Sequence, residues 1–568
     1  MANVAIHIED WKMLPWKKFQ RNVFRLQKRI YLASRRDDRQ CVHNLQRLLL
    51  RSWSARCLAV RQVTQDNRGK HTPGVDGVAS LTPHQRLRLA DRLRHLRLWI
   101  VQLIRRVYIP KPGNPTEQRG LGIPVMADRA CQALVKLALE PEWEAKFEPN
   151  SYGFRPGRST HDAIEAIFNT ICRKPKFVYD ADIAKCFDRI AWKALLDKLK
   201  AIPLIQRLVK DWLKAGILDN GQWLFPEAGT PQGGVISPLL ANIALHGLET
   251  AVVAVSKRHR ITVIRYADDF VILCQDLETL KQAIAVARTW LAGMGLEIKA
   301  SKTRLTHTLN IYEGTVGFDF LGFNVRQYPV GQYRTRTYRG QPGYKTIIKP
   351  NTKGVKRHSE ATRDTTRQYV GASQAALIAQ LNPKIRGWTL YYRASVAKRL
   401  FSKLDTHMHS KLARWAKRRH SHKCRAWCYH RYWRRQGTRT NFSDGTHTLI
   451  NYADMPITRH VKVKGDKSLY DGDWVYWGER LGKDPTRPLR VTRLLKFQQG
   501  RCECCGLRLT TEDVIEVHHQ DSNRNNNRYT NLALLHAHCH DRRHGAGIHD
   551  NDLRTEEPDE VKVSRPVL

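Results

Sequence analysis

No stretch of this sequence is apolar over the length needed to cross a bilayer, and the N-terminus lacks the basic-then-apolar order of a secretory signal. A membrane is therefore not an expected partner. Acidic residues are scarce as well. The 568 residues hold 52 Asp and Glu against 97 Lys and Arg, a formal net charge of +45. A chain so unbalanced repels itself unless a polyanion neutralises it. Nucleic acid is the expected partner, bound with a steep salt dependence as counterions are released. Closely paired cysteines are missing from most of the chain. Of the 12 Cys, eight are scattered, as in a reduced cytosolic protein where thiols serve as small apolar groups. The other four, Cys502, Cys504, Cys505 and Cys539, crowd the C-terminal part and point to a metal rather than disulfides.

What the chain does have is Tyr266-Ala267-Asp268-Asp269 between two short apolar runs, 261–265 and 270–274, each reading as a buried strand. The four residues fit a hairpin, so two carboxylates sit at a tight turn. Adjacent like charges raise each other's pKa, and a divalent cation removes the penalty. Hard oxygen ligands suit Mg²⁺, and a pair of such ions about 3.5–4 Å apart can clamp both oxygens of a phosphoryl transfer. A metal pair needs a further carboxylate, and Asp182 supplies a candidate at the end of the extended run Val178-Tyr179-Asp180-Ala181-Asp182.

Asp182-Ile183, then Phe187-Asp188, Thr230-Pro231-Gln232-Gly233-Gly234 and the Tyr-Ala-Asp-Asp hairpin together resemble the palm of reverse transcriptases, and more narrowly a bacterial-type group II intron-encoded protein. The resemblance implies that Asp182 and Asp268 hold two Mg²⁺ ions, with Asp269 a supporting carboxylate. It places Lys111 and Arg119, at the edges of an expected hairpin, against the triphosphate of an incoming deoxynucleotide. Phe187 would lie under its sugar and exclude a 2′-hydroxyl, and Gln232 would line the template–nucleotide pocket. The basic amphipathic helices read between residues 11 and 80 take the place of the family's fingers extension. The block Asn150-Ser151-Tyr152-Gly153-Phe154 resembles the one preceding the catalytic strand, with glycines that let backbone approach nucleic acid. The blocks at 295–303 and 318–323 resemble the remaining palm strands and the primer grip.

Residues 383–439 carry 17 Lys or Arg and one Asp, interleaved with Trp388, Tyr391, Tyr392, Trp415, Trp427, Tyr429, Tyr432 and Trp433. Cations at helical spacing with aromatics among them suit phosphate contact and base stacking. Residues 382–393 resemble the start of the family's maturase domain, which occupies the thumb position. Lys384, Arg386, Arg393, Lys398, Arg399, Arg414, Lys417 and Arg418 are the candidate contacts to intron RNA. The aromatics Tyr470, Trp474, Tyr476 and Trp477 suggest a small folded unit after it, by position the family's DNA-binding region.

Cys502-x-x-Cys505 and His536-x-x-Cys539 have the spacing of a tetrahedral structural Zn²⁺ site. His518-His519, Asn531, His540 and His544 lie between and just after them. The pattern resembles an HNH endonuclease, a small ββα-metal fold. The resemblance implies a catalytic divalent ion on His518, His540 and His544, His519 as general base, and Asn531 orienting its ring. A purely structural zinc ribbon would leave the histidines unused. His536 stands where the family more often has Cys, and Cys504 is an extra thiol.

The expected fold is α+β and multidomain, a right-hand polymerase with fingers, palm and helical thumb. The expected divisions are an N-terminal extension with fingers (1–130), palm (131–330), thumb or maturase domain (331–440), DNA-binding region (441–495), HNH module (496–548) and a disordered acidic tail (549–568). The implied activities are RNA-directed DNA polymerisation, splicing assistance and cutting of double-stranded target DNA, in the bacterial cytoplasm and at the nucleoid when acting on DNA. The alternative is an RNA-binding maturase whose catalytic sites are relics.

Overall fold

The computed structural model describes residues 11–111, 114–330, 343–465, 467–509, 513–523 and 526–544. The expected acidic tail, 549–568, lies outside the described residues. Near the start, helices Trp16–Arg35, Arg39–Arg51 and Trp53–Arg61 follow the apolar periodicity. The first buries Phe19, Val23 and Ile30 on one face and leaves its cations outside. The second begins at Asp38, whose carboxylate accepts from the Cys41 N–H at 3.0 Å. All three pack on helix Met126–Glu144. Ser34 Oγ donates to the Glu142 carbonyl at 2.9 Å, and Gln46 Nε2 to the Glu142 carboxylate at 2.7 Å.

Strands β1 (Ile104–Lys111) and β2 (Asn114–Ile123) form the expected basic hairpin. Strand β3 (Phe177–Asp182) comes next, then β4 (Ile217–Asp219) and β5 (Gln222–Leu224), which extend the first sheet in the order β2-β1-β4-β5. Strands β6 (Thr262–Tyr266), β7 (Asp269–Cys274) and β8 (Arg304–His307) join β3 in an antiparallel sheet of order β6-β7-β3-β8. Along β7 the period of two divides the side chains between two cores. Phe270, Ile272 and Cys274 enter the core shared with the N-terminal helices, whereas Val271 and Leu273 enter the core shared with the thumb. A sheet covered on both faces explains why its strands read as unbroken apolar runs.

Strands β9 (Phe318–Phe320), β10 (Phe323–Pro329) and β11 (Tyr344–Pro350) form the next sheet. Three long helices follow, Thr352–Gln368, Gln374–Tyr392 and Lys398–Arg419, then the hairpin β12 (Trp433–Gln436) and β13 (Arg439–Phe442). Here the aromatic reading needs correction. Trp415, Tyr392, Tyr432 and Trp433 are buried in the thumb core, Trp388 stacks on His358, and Trp415 Nε1 donates to the Tyr369 carbonyl at 2.8 Å. Of the aromatics singled out for base stacking, only Trp427 and Tyr429 are exposed. Rings interleaved with cations at helical spacing fill the inner face while the cations line the outer one.

The region after residue 441 is not a separate unit. It lies across the palm and is fastened to Asp162, which is fully buried. His460 Nε2 stands 3.0 Å from that carboxylate, Arg480 Nη2 donates to it at 2.5 Å and the Val463 N–H at 2.8 Å. Tyr470 Oη donates to Glu140 at 2.7 Å, and the Trp477 ring packs on Gly157, where a Cβ would stand 2.7 Å from it. The last described part pairs β14 (Ile515–His519) with β15 (Leu532–His536) and ends in helix Ala537–His544. Val491, Leu494, Ile515 and Leu534 form its small core. Among the described residues no helix is long and apolar enough to cross a membrane.

Candidate catalytic centres and nucleic-acid interface

The sheet brings the palm carboxylates together. Asp182 and Asp269 are register partners across β3 and β7, so they share a face. Asp268 occupies the two-residue turn between β6 and β7 after Ala267, whose φ is 57°. The Ile183 N–H donates to the Asp268 carbonyl at 3.3 Å, which ties the turn to the end of β3. Gly153 supports the same turn from below. A Cβ there would overlap the Ala267 nitrogen, so this glycine serves the hairpin backbone rather than a nucleic acid.

Burial, then the charges of Asp268 and Asp182, push the Asp269 carboxyl up to about 7. Burial, then Asp182, also raises Asp268, against the pull of Lys302 and Arg119. Two carboxyls whose ionisation is opposed, set beside the Asp182 carboxylate, make a site suited to a hard cation. Lys302 had no role assigned from the sequence. It stands in the turn before β8 and its ammonium bonds to Asp182, while the Lys299 N–H donates to the Asp182 carbonyl at 2.8 Å. Its signal was the Lys-Thr step in the 295–303 block.

Arg119 is exposed on β2 and acts electrostatically on Asp268. The side chain of Lys111 lies outside the described residues. Phe187 is half-buried on the short helix Cys186–Arg189, edge-on to Phe154 at 5.9 Å between ring centroids. The Phe187 carbonyl accepts from the Thr230 N–H at 2.5 Å, which fixes the loop carrying Gln232. The Gln232 carbonyl in turn accepts from the Gly122 N–H at 2.6 Å, so the end of β2 and this loop meet.

The eight thumb cations separate into groups. Arg399, Arg414 and Arg418 are exposed, with Arg414 Nε donating to the Ser410 carbonyl one turn back at 3.1 Å. Lys384, Lys398 and Lys417 are exposed but tied to Thr365, Ala453 and Ser421. Arg386 is half-buried and faces a cavity of about 1970 Å³ between the first helix, the thumb and residues 460–508. Arg393 contradicts the RNA-contact expectation. It is 7 % exposed and donates to the carbonyls of Pro485 and of Arg487, the latter at 2.9 Å. A guanidinium inside needs these acceptors, and it clasps the following segment to the thumb.

In the C-terminal module the donor atoms of Cys502, Cys505, His536 and Cys539 all lie within 4.8 Å of one another. His536 Nδ1 faces the Cys505 Sγ at 3.3 Å, and its Nε2 faces Asp513 at 3.7 Å, a carboxylate suited to fixing a ligand imidazole. The three thiols, of which Cys502 and Cys539 are buried, and the backing carboxylate fit Zn²⁺. Alternation on β14 turns His518 and Glu516 to one side, and the i, i+4 step on the last helix brings His540 and His544 to meet them. The donor atoms of His518, His540 and His544 also lie within 4.8 Å of one another, and His518 Nδ1 is buried without a hydrogen-bond partner among the described residues. An orphaned imidazole nitrogen beside two others fits a divalent ion. Burial, then the charges of His540 and His544, push His518 down to about 4.

His519 points to the other side of β14. Its Nε2 is 3.4 Å from Asn527 Oδ1, and Asn531 does not supply that contact. Asn531 holds the loop instead, with Nδ2 donating to Asp521 at 2.7 Å and to the Asn526 carbonyl at 2.8 Å. The expected orientation of His519 by Asn531 is corrected to an indirect one, through the loop that carries Asn527.

Residues 109–325 match the family described as reverse transcriptase (RNA-dependent DNA polymerase), residues 11–93 the N-terminal domain of reverse transcriptase, and residues 355–433 the group II intron, maturase-specific domain. The chain is 34 % identical over 324 residues to protein YkfC of Escherichia coli, covering 49 % of this chain and 82 % of YkfC. It is 38 % identical over 188 residues to the group II intron-encoded protein LtrA of Lactococcus lactis, covering 32 % of this chain and 31 % of LtrA. It is also 27 % identical over 321 residues to maturase-like protein 1 of Euglena longa, covering 55 % of this chain and 65 % of that protein.

Proposed function

Because the chain belongs to the group II intron reverse transcriptase and maturase family, we propose that it copies RNA into DNA in the palm and assists intron splicing through its basic thumb. The observation that carries the reading is the facing of Asp182 and Asp269 across β3 and β7, with Asp268 in the turn beside them. Asp182 and Asp268 would hold the Mg²⁺ ions, and Asp269 supports them. Bound there, the ions supply Lewis acidity for displacement at the α-phosphorus of a deoxynucleoside triphosphate. Arg119 adds positive charge for the triphosphate, with Lys111 its proposed partner. Phe187 carries the sugar and selects against a 2′-hydroxyl, and Gln232 meets the template–nucleotide pair. Primer extension on an RNA template, with Asp268→Asn as the control, tests this assignment. A wild-type chain that never lengthens a primer would falsify it.

The C-terminal module is proposed to be an HNH endonuclease. Its β14, β15 and final helix carry the two His/Cys sets in the order a ββα-metal site needs. Zn²⁺ on the Cys/His quartet would fold a segment whose core is small, and His519 would take a proton from the attacking water. In the whole protein these activities compose target-primed mobility. Intron RNA inserts into one DNA strand, the nuclease cuts the other, and the palm extends the 3′-hydroxyl. Complete sets of carboxylates and histidines favour this over a splicing factor with relic sites.

A further inference from the structure

We propose that the N-terminal helical region completes the surroundings of the zinc centre, so that zinc loading and docking of the C-terminal module on the polymerase form one coupled equilibrium. The proposal rests on reading Cys502, Cys505, His536 and Cys539 as zinc ligands. Arg61, the last residue of helix Trp53–Arg61, is 3 % exposed. Its Nη2 donates to the Cys505 Sγ at 3.5 Å and lies 2.7 Å from His538 Nε2. The other nitrogen of His538 stands 2.7 Å from Asp66, which itself lies 3.5 Å from Arg61 Nε. His538 Nε2 is 3.1 Å from the Cys539 Sγ. The Cys505 sulfur is thus backed by a guanidinium, and the imidazole beside the Cys539 sulfur is set between Arg61 and Asp66.

The fit around this contact is close. The Lys17 stem crosses Gly506, directly after Cys505, where a Cβ would overlap it. The Arg508 N–H donates to Gln20 at 3.1 Å, and Lys70 reaches Asp541 at 3.4 Å. Zinc would fix the backbone at Cys505 and Cys539, the stretches that carry the Gly506 and His538 contacts to the N-terminal region. Loss of the ion therefore weakens the seam, and linkage requires that loss of the seam weaken the ion's binding equally. Outer partners of metal ligands commonly change affinity by about 10–100-fold when removed. The N-terminal region is the source of these partners here, more than 400 positions away in the chain.

The test uses the full-length chain with its zinc, a chromogenic chelator to time zinc release, and limited proteolysis. Arg61→Gln, with primer extension retained as proof of folding, is expected to lose zinc at least about 10-fold faster than wild type. Stripping zinc from wild type is expected to open the chain to cleavage between polymerase and module while primer extension persists. Release at the wild-type rate from the folded variant overturns the coupling. Should Arg61→Gln fail to fold, the wild-type arm decides, and an unchanged cleavage pattern after chelation overturns it. A purified chain that never holds zinc overturns the ligand assignment itself and the coupling with it.

Discussion

Gly153 packs flat against Ala267. A Cβ at position 153 would stand 2.9 Å from the Tyr266 carbonyl carbon and overlap the next nitrogen, in the turn that carries Asp268. Gly153→Ala must displace that turn. A shift near 1 Å at reacting groups costs on the order of 100-fold in rate. Primer extension by Gly153→Ala is expected to fall by about that factor, with DNA cutting unchanged. Equal loss of both activities would point to general unfolding instead.

Asp268→Asn removes a proposed metal-holding oxygen without changing shape. Primer extension is expected to disappear, while intron RNA binding and splicing assistance persist. Filter binding and a splicing reaction with the purified variant check the separation.

The Asp269 carboxyl, pushed up to about 7, ties stability to pH. An unfolded Asp ionises near pH 3.9, roughly. Between these values the folded chain holds the extra proton, so stability falls as pH rises through the window. A bound cation relieves this. Mg²⁺ is expected to raise the melting temperature more at pH 8 than at pH 5, and in EDTA Asp269→Asn should melt above wild type at pH 8 but not at pH 5. The gain should be roughly 2–4 °C for each kcal/mol relieved. Scanning calorimetry at the two pH values reads it, and identical Mg²⁺ shifts would remove the carboxylate cluster as the cause.

His519→Ala is expected to abolish DNA cutting and spare polymerisation. Asn531→Ala, which loosens the loop rather than the base, should leave measurable cutting reduced by about 10-fold or more. A nicking assay on duplex DNA separates the two. Full cutting by His519→Ala contradicts its role as base.

Of the eight candidate RNA contacts, Arg399, Arg414 and Arg418 are exposed and make no distant side-chain bond among the described residues. Replacing all three with Gln should weaken RNA binding and lower the salt slope, by about 0.7 for each single-strand phosphate that is no longer neutralised. Arg393→Gln should instead lower the melting temperature, because the carbonyls of Pro485 and Arg487 lose their donor. RNA titrations at several salt concentrations, beside thermal melts, distinguish these classes.

The strands that carry Asp182 and Asp269 were legible because their signal is local. Apolar runs around Asp182 and Asp268 specify strands, and the Cys502–Cys505 and His536–Cys539 pairs, set apart by their spacing, meet with their donor atoms within 4.8 Å of one another. The burial of Trp415 and Tyr432 was not legible, since rings mixed with cations look the same whether they face water or a neighbouring helix. Arg393 misled for a related reason: a buried guanidinium is betrayed only by the carbonyls that satisfy it, and those arise about 90 positions later. Gly153 and Asn531 were noticed but misplaced, because each acts on backbone that only the fold brings near.

Asp162 carries a further consequence. Its charge sits in the palm, yet the side chains that meet it, His460 and Arg480, come from some 300 positions downstream. A chain cut short after the thumb would keep the carboxylate and lose the His460, Val463 and Arg480 partners that fasten the downstream segment to it. The polymerase is therefore not a detachable cassette. Shortened enzymes built by trimming this chain need Asp162 replaced by a neutral residue before their lower stability is blamed on anything else.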